Sequence, residues 1–181
     1  KFSTSRDWAV WLPKYLDKYS PDALRYVLSA SMPETSDTDF TWKEFVRRNN
    51  DELVATYGNL VNRVLNIIKK NYDCNIPTPS KLDDISNNLL DQCTLTMDQV
   101  AGNLESCQFR LALQNSFKLA QSTNRYLECK APWKAVKTNL EEAGTTIWVA
   151  LSVINCLKIL FYPFLPHSSS RLHSMLGFKD E

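Results

Sequence analysis

Glycine is scarce in this chain, with four among 181 residues, against an ordinary share of about 7%. Glycine-rich loops that cradle dinucleotides or triphosphates therefore have nothing to be built from, and long helices are favoured. Histidine is scarcer still: only His167 and His173 occur, which leaves few parts for a zinc site or a histidine-based triad, and no metal site is expected. The five cysteines, Cys74, Cys93, Cys107, Cys129 and Cys156, are odd in number and widely spaced without a C-x-x-C pair. They read as buried free thiols of a reducing cytosol rather than a disulfide framework. Excess charge is also missing, because 21 Lys and Arg against 20 Asp and Glu leave a formal net charge of +1. That balance excludes a histone-like binder of polyanions, though not a selective binder with a local basic patch.

The chain opens Lys1-Phe2-Ser3-Thr4-Ser5-Arg6, with neither an initiator methionine nor an apolar run. No signal peptide is expected there, and the opening reads as a cut from a longer protein. The most apolar stretch, Thr146 to Leu165, has about the length of a bilayer span, but Asn155, Lys158 and Pro163 interrupt it. A buried core helix is expected instead.

With 44% hydrophobic and 23% charged residues, the composition predicts one compact domain with a small appendage. Residues 1–40 form the appendage, a connector of small α or β elements. A short helix is signalled at Ser20, whose hydroxyl is placed to cap a helix with Pro21 in its first turn, and the polar segment Pro33 to Asp39 cannot continue a helix. From Thr41 the pattern turns helical. Thr41 and Glu44 have capping-box spacing, and Val46, Leu53, Tyr57, Leu60, Val64 and Ile68 follow at helical intervals, predicting one helix to about Tyr72. Its opposite side carries Glu52, Asn59, Arg63, Asn66 and Lys70. Prolines 77 and 79 end it. Further helices are expected over about 81–103, 107–129 and 139–163, the second of these closing before Pro132, with a short amphipathic tail from Ser170 to Leu176 closed by Gly177. The predicted fold is all-α: an antiparallel helical bundle over residues 41–181, preceded by the connector.

Acidic side chains do not converge. Asp83-Asp84 and Glu141-Glu142 are placed to favour helix N-termini, and no self-sufficient active site is assembled. Charge distribution is more informative than its total. Arg63, Lys69 and Lys70 give the Asn59–Lys70 stretch a local +3; Arg125, Lys130, Lys134 and Lys137 against Glu128 give another +3; and Lys81 to Glu105 carries a local −4. Trp133 lies in the second basic stretch. A tryptophan there fills a core as readily as it meets a ligand, but single-stranded bases are gripped by aromatic planes and fixed by amide or guanidinium donors. Asn59 and Arg63, four apart on one helical face, are placed to supply such donors.

Several motifs in order now resemble a known family. Lys1-Phe2-Ser3-Thr4-Ser5 resembles the KMSKS loop of class I aminoacyl-tRNA synthetases, in the form seen in archaeal-type methionyl-tRNA synthetases. Asp22-Ala23-Leu24-Arg25-Tyr26 and Pro33-Glu34-Thr35-Ser36-Asp37 resemble the region that connects to it and contacts the tRNA stem. Arg48-Asn49-Asn50-Asp51-Glu52-Leu53, Gly58-Asn59-Leu60-Val61-Asn62-Arg63 and Ala131-Pro132-Trp133-Lys134 resemble the anticodon-binding helices, so the resemblance covers essentially the whole chain.

The resemblance implies that Trp133 stacks on the first base of a CAU anticodon, a cytosine, while Asn59 and Arg63 hydrogen-bond its edge. It implies that Lys1, Ser3, Thr4 and Ser5 belong to the catalytic loop of the parent enzyme, a methionine-tRNA ligase using ATP and magnesium, with Lys1 and Thr4 near the ATP. Thr4 stands where the family has its second lysine, so it brings a hydroxyl without the charge that steadies a pyrophosphate leaving group. It further implies a cytoplasmic protein whose partner is the methionine-acceptor tRNA, with no membrane and no DNA. The upstream catalytic core is absent from the sequence, so the fragment alone is expected to be inactive. Two alternatives stay open on the sequence: the anticodon domain of a synthetase for cysteine, leucine, isoleucine or valine, and a stand-alone helical module that binds RNA without catalysis or docks protein.

Overall fold

A computed structural model describes residues 10–34 and 36–179. Among these the regular elements are helical, and no strand occurs. The connector holds α1 (Leu12–Leu16) and α2 (Pro21–Ala30). Pro21 opens α2 as expected, but the Ser20 hydroxyl does not cap it; instead the Ser20 carbonyl accepts a hydrogen bond from Tyr15 Oη at 3.1 Å.

The expected helix from Thr41 is continuous in path but has three windings: α3 (Trp42–Arg47), a π-helical segment (Arg48–Gly58) and α4 (Asn59–Asn71). Thr41 Oγ1 accepts from the Glu44 N–H at 3.2 Å, which fixes the start. The Glu44 carboxylate is taken by Arg47 and Arg48 at 2.7 and 2.8 Å. The π winding, with its i→i+5 bonds, is rarely sustained, and it shifts which side chains turn inward. Phe45 is buried, joining Tyr15, Phe40 and Trp42 in an aromatic cluster, whereas Val46 is 51% exposed. Glu52, expected on a wetted face, accepts hydrogen bonds from Tyr26 Oη and from Arg47 and Arg48.

The bundle proper comprises α5 (Asp84–Glu105), α6 (Phe109–Lys130), the single turn α7 (Pro132–Ala135), α8 (Leu140–Phe161) and α9 (Pro166–Met175). Asp83 starts α5 by accepting from the Ser86 N–H at 3.0 Å, and Asn139 starts α8 by accepting from Glu142 at 3.1 Å. A tight turn through Ser106 and Cys107, the latter at φ 55°, folds α6 back on α5. The apolar helix α8 is the axis of the molecule: Ala143, Ile147, Val149, Ala150, Val153, Ile154, Leu157 and Phe161 have no exposure at all. Its length and composition would pass for a membrane span, and the reason is that most of its circumference is buried inside the protein. The proline loop after α4 crosses its N-terminal end, where Ser80 N–H donates to Thr145 Oγ1 at 2.9 Å. Residue 144 is closely approached by the proline loop, since an added Cβ would sit 3.1 Å from Pro77 Cβ and would need that side chain to yield.

The connector packs on this bundle. Tyr26, 1% exposed, meets Phe117 edge-on, and Phe117 meets Phe161 in turn. The buried Asp22 carboxylate accepts from the Ser168 and His167 N–H groups at 2.6 and 3.4 Å, neutralising free donors in the first turn of α9. α9 begins at Pro166, a turn ahead of the expected Ser170, and Gly177 closes the tail at φ 83° as expected.

Candidate nucleic-acid interface

α6 cannot run on into Pro132, which disfavours helical backbone in the residue before it. Ala131 accordingly adopts φ 43°, ψ 54°, a left-handed conformation that costs a non-glycine residue about 1 kcal/mol or more. That reversal starts α7 on a new axis with Pro132 buried and Trp133 outermost, 37% exposed. The indole is thus not a core residue. The guanidinium carbon of Arg63 lies 4.8 Å from its ring centroid, a cation–π contact between two residues that the sequence places on different basic stretches.

α4 positions Arg63. Leu60, Val64 and Ile68 bury one stripe of the helix, leaving Asn59 exposed and Arg63 half-buried at the edge of that stripe. Asn59 is the first residue of α4, one turn before Arg63, and lines an open groove of about 970 Å³. The groove runs between the π segment and α4 on one side and α9 on the other, with Asn62, Asn66, Arg171 and Met175 also on its walls. Arg171 was missed by sequence reasoning. It is a lone cation in a serine-rich tail and acquires a setting only when α9, packed on α8 and α2, forms the far wall of the groove.

The second basic stretch is less available than its composition suggests. Lys130 pairs with Asp83, which holds the Asp83 carboxyl at about 2 and raises the lysine in return. Arg125 donates to Ser122 Oγ at 3.1 Å. Lys134 and Lys137 are exposed, and among the described residues no ion pair engages them. The cysteines are free as expected, but Cys74, Cys107 and Cys129 are exposed rather than buried. Lys1, Ser3, Thr4 and Ser5 lie outside the described residues.

An exposed indole, a guanidinium on its face and an amide one turn away suit a flat, polar-edged ligand such as an unstacked base. Known proteins carry a similar segment. The family described as tRNA synthetases class I (M) matches residues 1–65, and that described as the anticodon binding domain of methionyl tRNA ligase matches residues 76–181. A methionine–tRNA ligase of Dehalococcoides mccartyi is 50% identical over 181 residues, all of this chain and 33% of the relative. That of Roseiflexus castenholzii is 47% identical over 178 residues, 98% of this chain and 30% of the relative. The chain therefore spans about a third of the length of these relatives. Among solved structures, Mycobacterium tuberculosis methionyl-tRNA synthetase bound by methionyl-adenylate superposes with a TM-score of 0.94 at 26% identity, over 99% of this chain and 36% of that one. Its apo form gives 0.89 at 25% identity, over 94% and 35%. With more than half of its length matched by the anticodon-binding family and residues 1–65 by the class I synthetase family, this chain belongs to the methionyl-tRNA ligases.

Proposed function

We propose that this chain selects the methionine-acceptor tRNA by its CAU anticodon, as the helical part of a cytoplasmic methionine-tRNA ligase. Trp133 stacks on the first anticodon base, and Arg63 and Asn59 donate to the carbonyl and ring nitrogen on that cytosine's edge. The observation that carries this reading is the Arg63–Trp133 contact at 4.8 Å, which puts a plane and a fork of donors at one exposed spot. Residues 41–181 are the anticodon-binding domain in this reading, and residues 1–40 are the loop and connector that join it to the catalytic domain.

The catalytic side of the proposal rests on the residues Lys1, Ser3, Thr4 and Ser5. ATP and magnesium would be used there, ATP held near Lys1 and Thr4, to activate methionine before transfer to tRNA. A structural relative bound by methionyl-adenylate supports that chemistry for the parent enzyme. The 181-residue chain is expected to lack methionine-dependent ATP/pyrophosphate exchange.

Filter binding with anticodon stem-loops tests the recognition. A CAU loop is expected to bind tighter than loops altered at the first anticodon position by about 10-fold or more, the usual cost of a lost bidentate base contact. Equal binding of all loops overturns the reading and leaves a helical bundle with no anticodon selectivity.

A further inference from the structure

The RNA-facing side makes no use of the α5–α8 interface, where two cysteines meet. Cys93 on α5 is half-buried, and Cys156 on α8 is 7% exposed. The Cys156 Sγ lies 3.9 Å from the Cys93 carbonyl oxygen, and the Cys93 Sγ lies 3.7 Å from the Leu89 carbonyl. Both sulfurs thus sit within one turn of α5. Besides the bond to the carbonyl, the two side chains act on one another: that interaction holds the Cys93 thiol below the ordinary cysteine range and, together with burial, pushes Cys156 up. The pair is asymmetric: one thiol is nearer solvent and more readily ionised, and the other is enclosed beside it. That is the arrangement of an attacked cysteine with a resolving partner. The other three cysteines, Cys74, Cys107 and Cys129, are exposed.

We infer that Cys93 and Cys156 form a peroxide-responsive pair that closes to a disulfide across the α5–α8 interface. The Cys93 thiolate attacks one oxygen of hydrogen peroxide; the O–O bond breaks, the sulfur becomes a sulfenic acid, and hydroxide leaves to take up the proton that Cys93 gave up. The Cys156 sulfur then attacks the Cys93 sulfur, its thiol proton and the departing hydroxyl leave together as water, and the S–S bond forms. In sum two thiols lose two hydrogens and one peroxide becomes two waters. The bond closes a long loop that includes all of α6 and α7, so it restricts the unfolded chain strongly. The inference is independent of what the Trp133 face binds.

The test treats the 181-residue chain, dilute to suppress bonds between molecules, with a stoichiometric amount of hydrogen peroxide, followed by alkylation and peptide mass mapping. The expected result is a linked pair of peptides carrying Cys93 and Cys156, two hydrogens lighter than their sum, abolished in Cys93→Ser. The oxidised protein should melt about 5 °C or more higher, and lose that gain on reduction. Recovery of Cys156 as a free thiol while Cys93 is over-oxidised to sulfinic acid overturns the inference. Mapping of the unsubstituted chain decides this even where Cys156→Ala fails to fold.

Discussion

Among the described residues two cations lie over aromatic rings, and they serve opposite ends. Lys158 Nζ is 4.3 Å from the Phe178 centroid, and Arg63 Cζ is 4.8 Å from that of Trp133. Lys158 is 7% exposed, and its ammonium donates to Asn155 Oδ1 at 2.8 Å and interacts with His173 Nδ1 at 2.9 Å. With the ring as third acceptor, every proton of the ammonium is placed, and the tail after α9 is clasped to α8. Arg63 contacts a ring that is itself open to solvent, and its five donors have no such cage. A cation whose donors are used up inside the fold is structural; one whose donors face water is available to a ligand.

The largest expected effect breaks the closed member of this pair. Lys158→Ala removes the donor from two neighbours and leaves a cavity beneath Phe178, so it should cost about 2–4 kcal/mol of stability in urea unfolding, with RNA affinity unchanged in whatever fraction stays folded. Burial holds the Lys158 ammonium below the ordinary lysine range, so the folded state sheds that proton before the unfolded one does. The charge therefore costs stability that is regained as pH climbs toward the ordinary lysine value, and the gap between wild type and variant should widen over that alkaline window. A variant that melted normally would mean that Asn155, His173 and Phe178 hold the tail without the cation.

Trp133→Ala breaks the open member, and its cost should appear in the other measurement. Loss of a base stack is expected to weaken CAU stem-loop binding by about 1–3 kcal/mol, while the thermal midpoint moves little, because the ring is 37% exposed. Early melting with undiminished binding would return Trp133 to the core. Arg63→Lys sharpens the point in the same assay: it keeps the charge and loses the planar fork, so selectivity for the first base should fall more than affinity does.

The difference between the two sites explains what was legible in the sequence. A helix start was readable where a short polar side chain caps its own helix, as Thr41 does, because capping is local. The π winding over Arg48–Gly58 was not, since i→i+5 bonding over so short a stretch leaves no separate period in the apolar pattern, and Val46 was expected inward where Phe45 is. The candidate site was legible in parts. Spacing put Asn59 and Arg63 on one face, but nothing local joins Arg63 to Trp133. The chemistry of base binding suggested the grouping and family resemblance assigned it to one base, and the fold joins Arg63 to Trp133 through the left-handed turn at Ala131. The cage around Lys158 left no signal at all, because Asn155, His173 and Phe178 come from two helices and a tail.

Lys130 tests the smallest difference, between a cation held by one surface ion pair and its exposed neighbour Lys134, which no ion pair engages among the described residues. A count of charges gives both to one basic stretch, yet Asp83 on the acidic stretch has claimed Lys130. The pairing lysine first, and the Ser86 donors next, hold the Asp83 carboxyl at about 2. A carboxylate depressed in the folded state adds stability that is fully present above its unfolded value of about 4 and is lost as pH falls toward the folded value. The Asp83 side chain is 45% exposed, so solvent screening keeps the ion pair to a few tenths of a kcal/mol, roughly, and the helix cap supplies most of the effect. Asp83→Ala should therefore cost about 1 kcal/mol at neutral pH, and only the ionic part of that deficit should disappear on acidification from about pH 4 to about pH 2, because a protonated carboxyl still offers an oxygen to the Ser86 N–H. Asp83→Asn keeps the cap and loses the pair, so it should recover most of that stability at every pH. If the asparagine variant instead melts as early as the alanine one, the pair with Lys130 outweighs the cap, and that lysine belongs with Lys158 among the cations the fold has consumed.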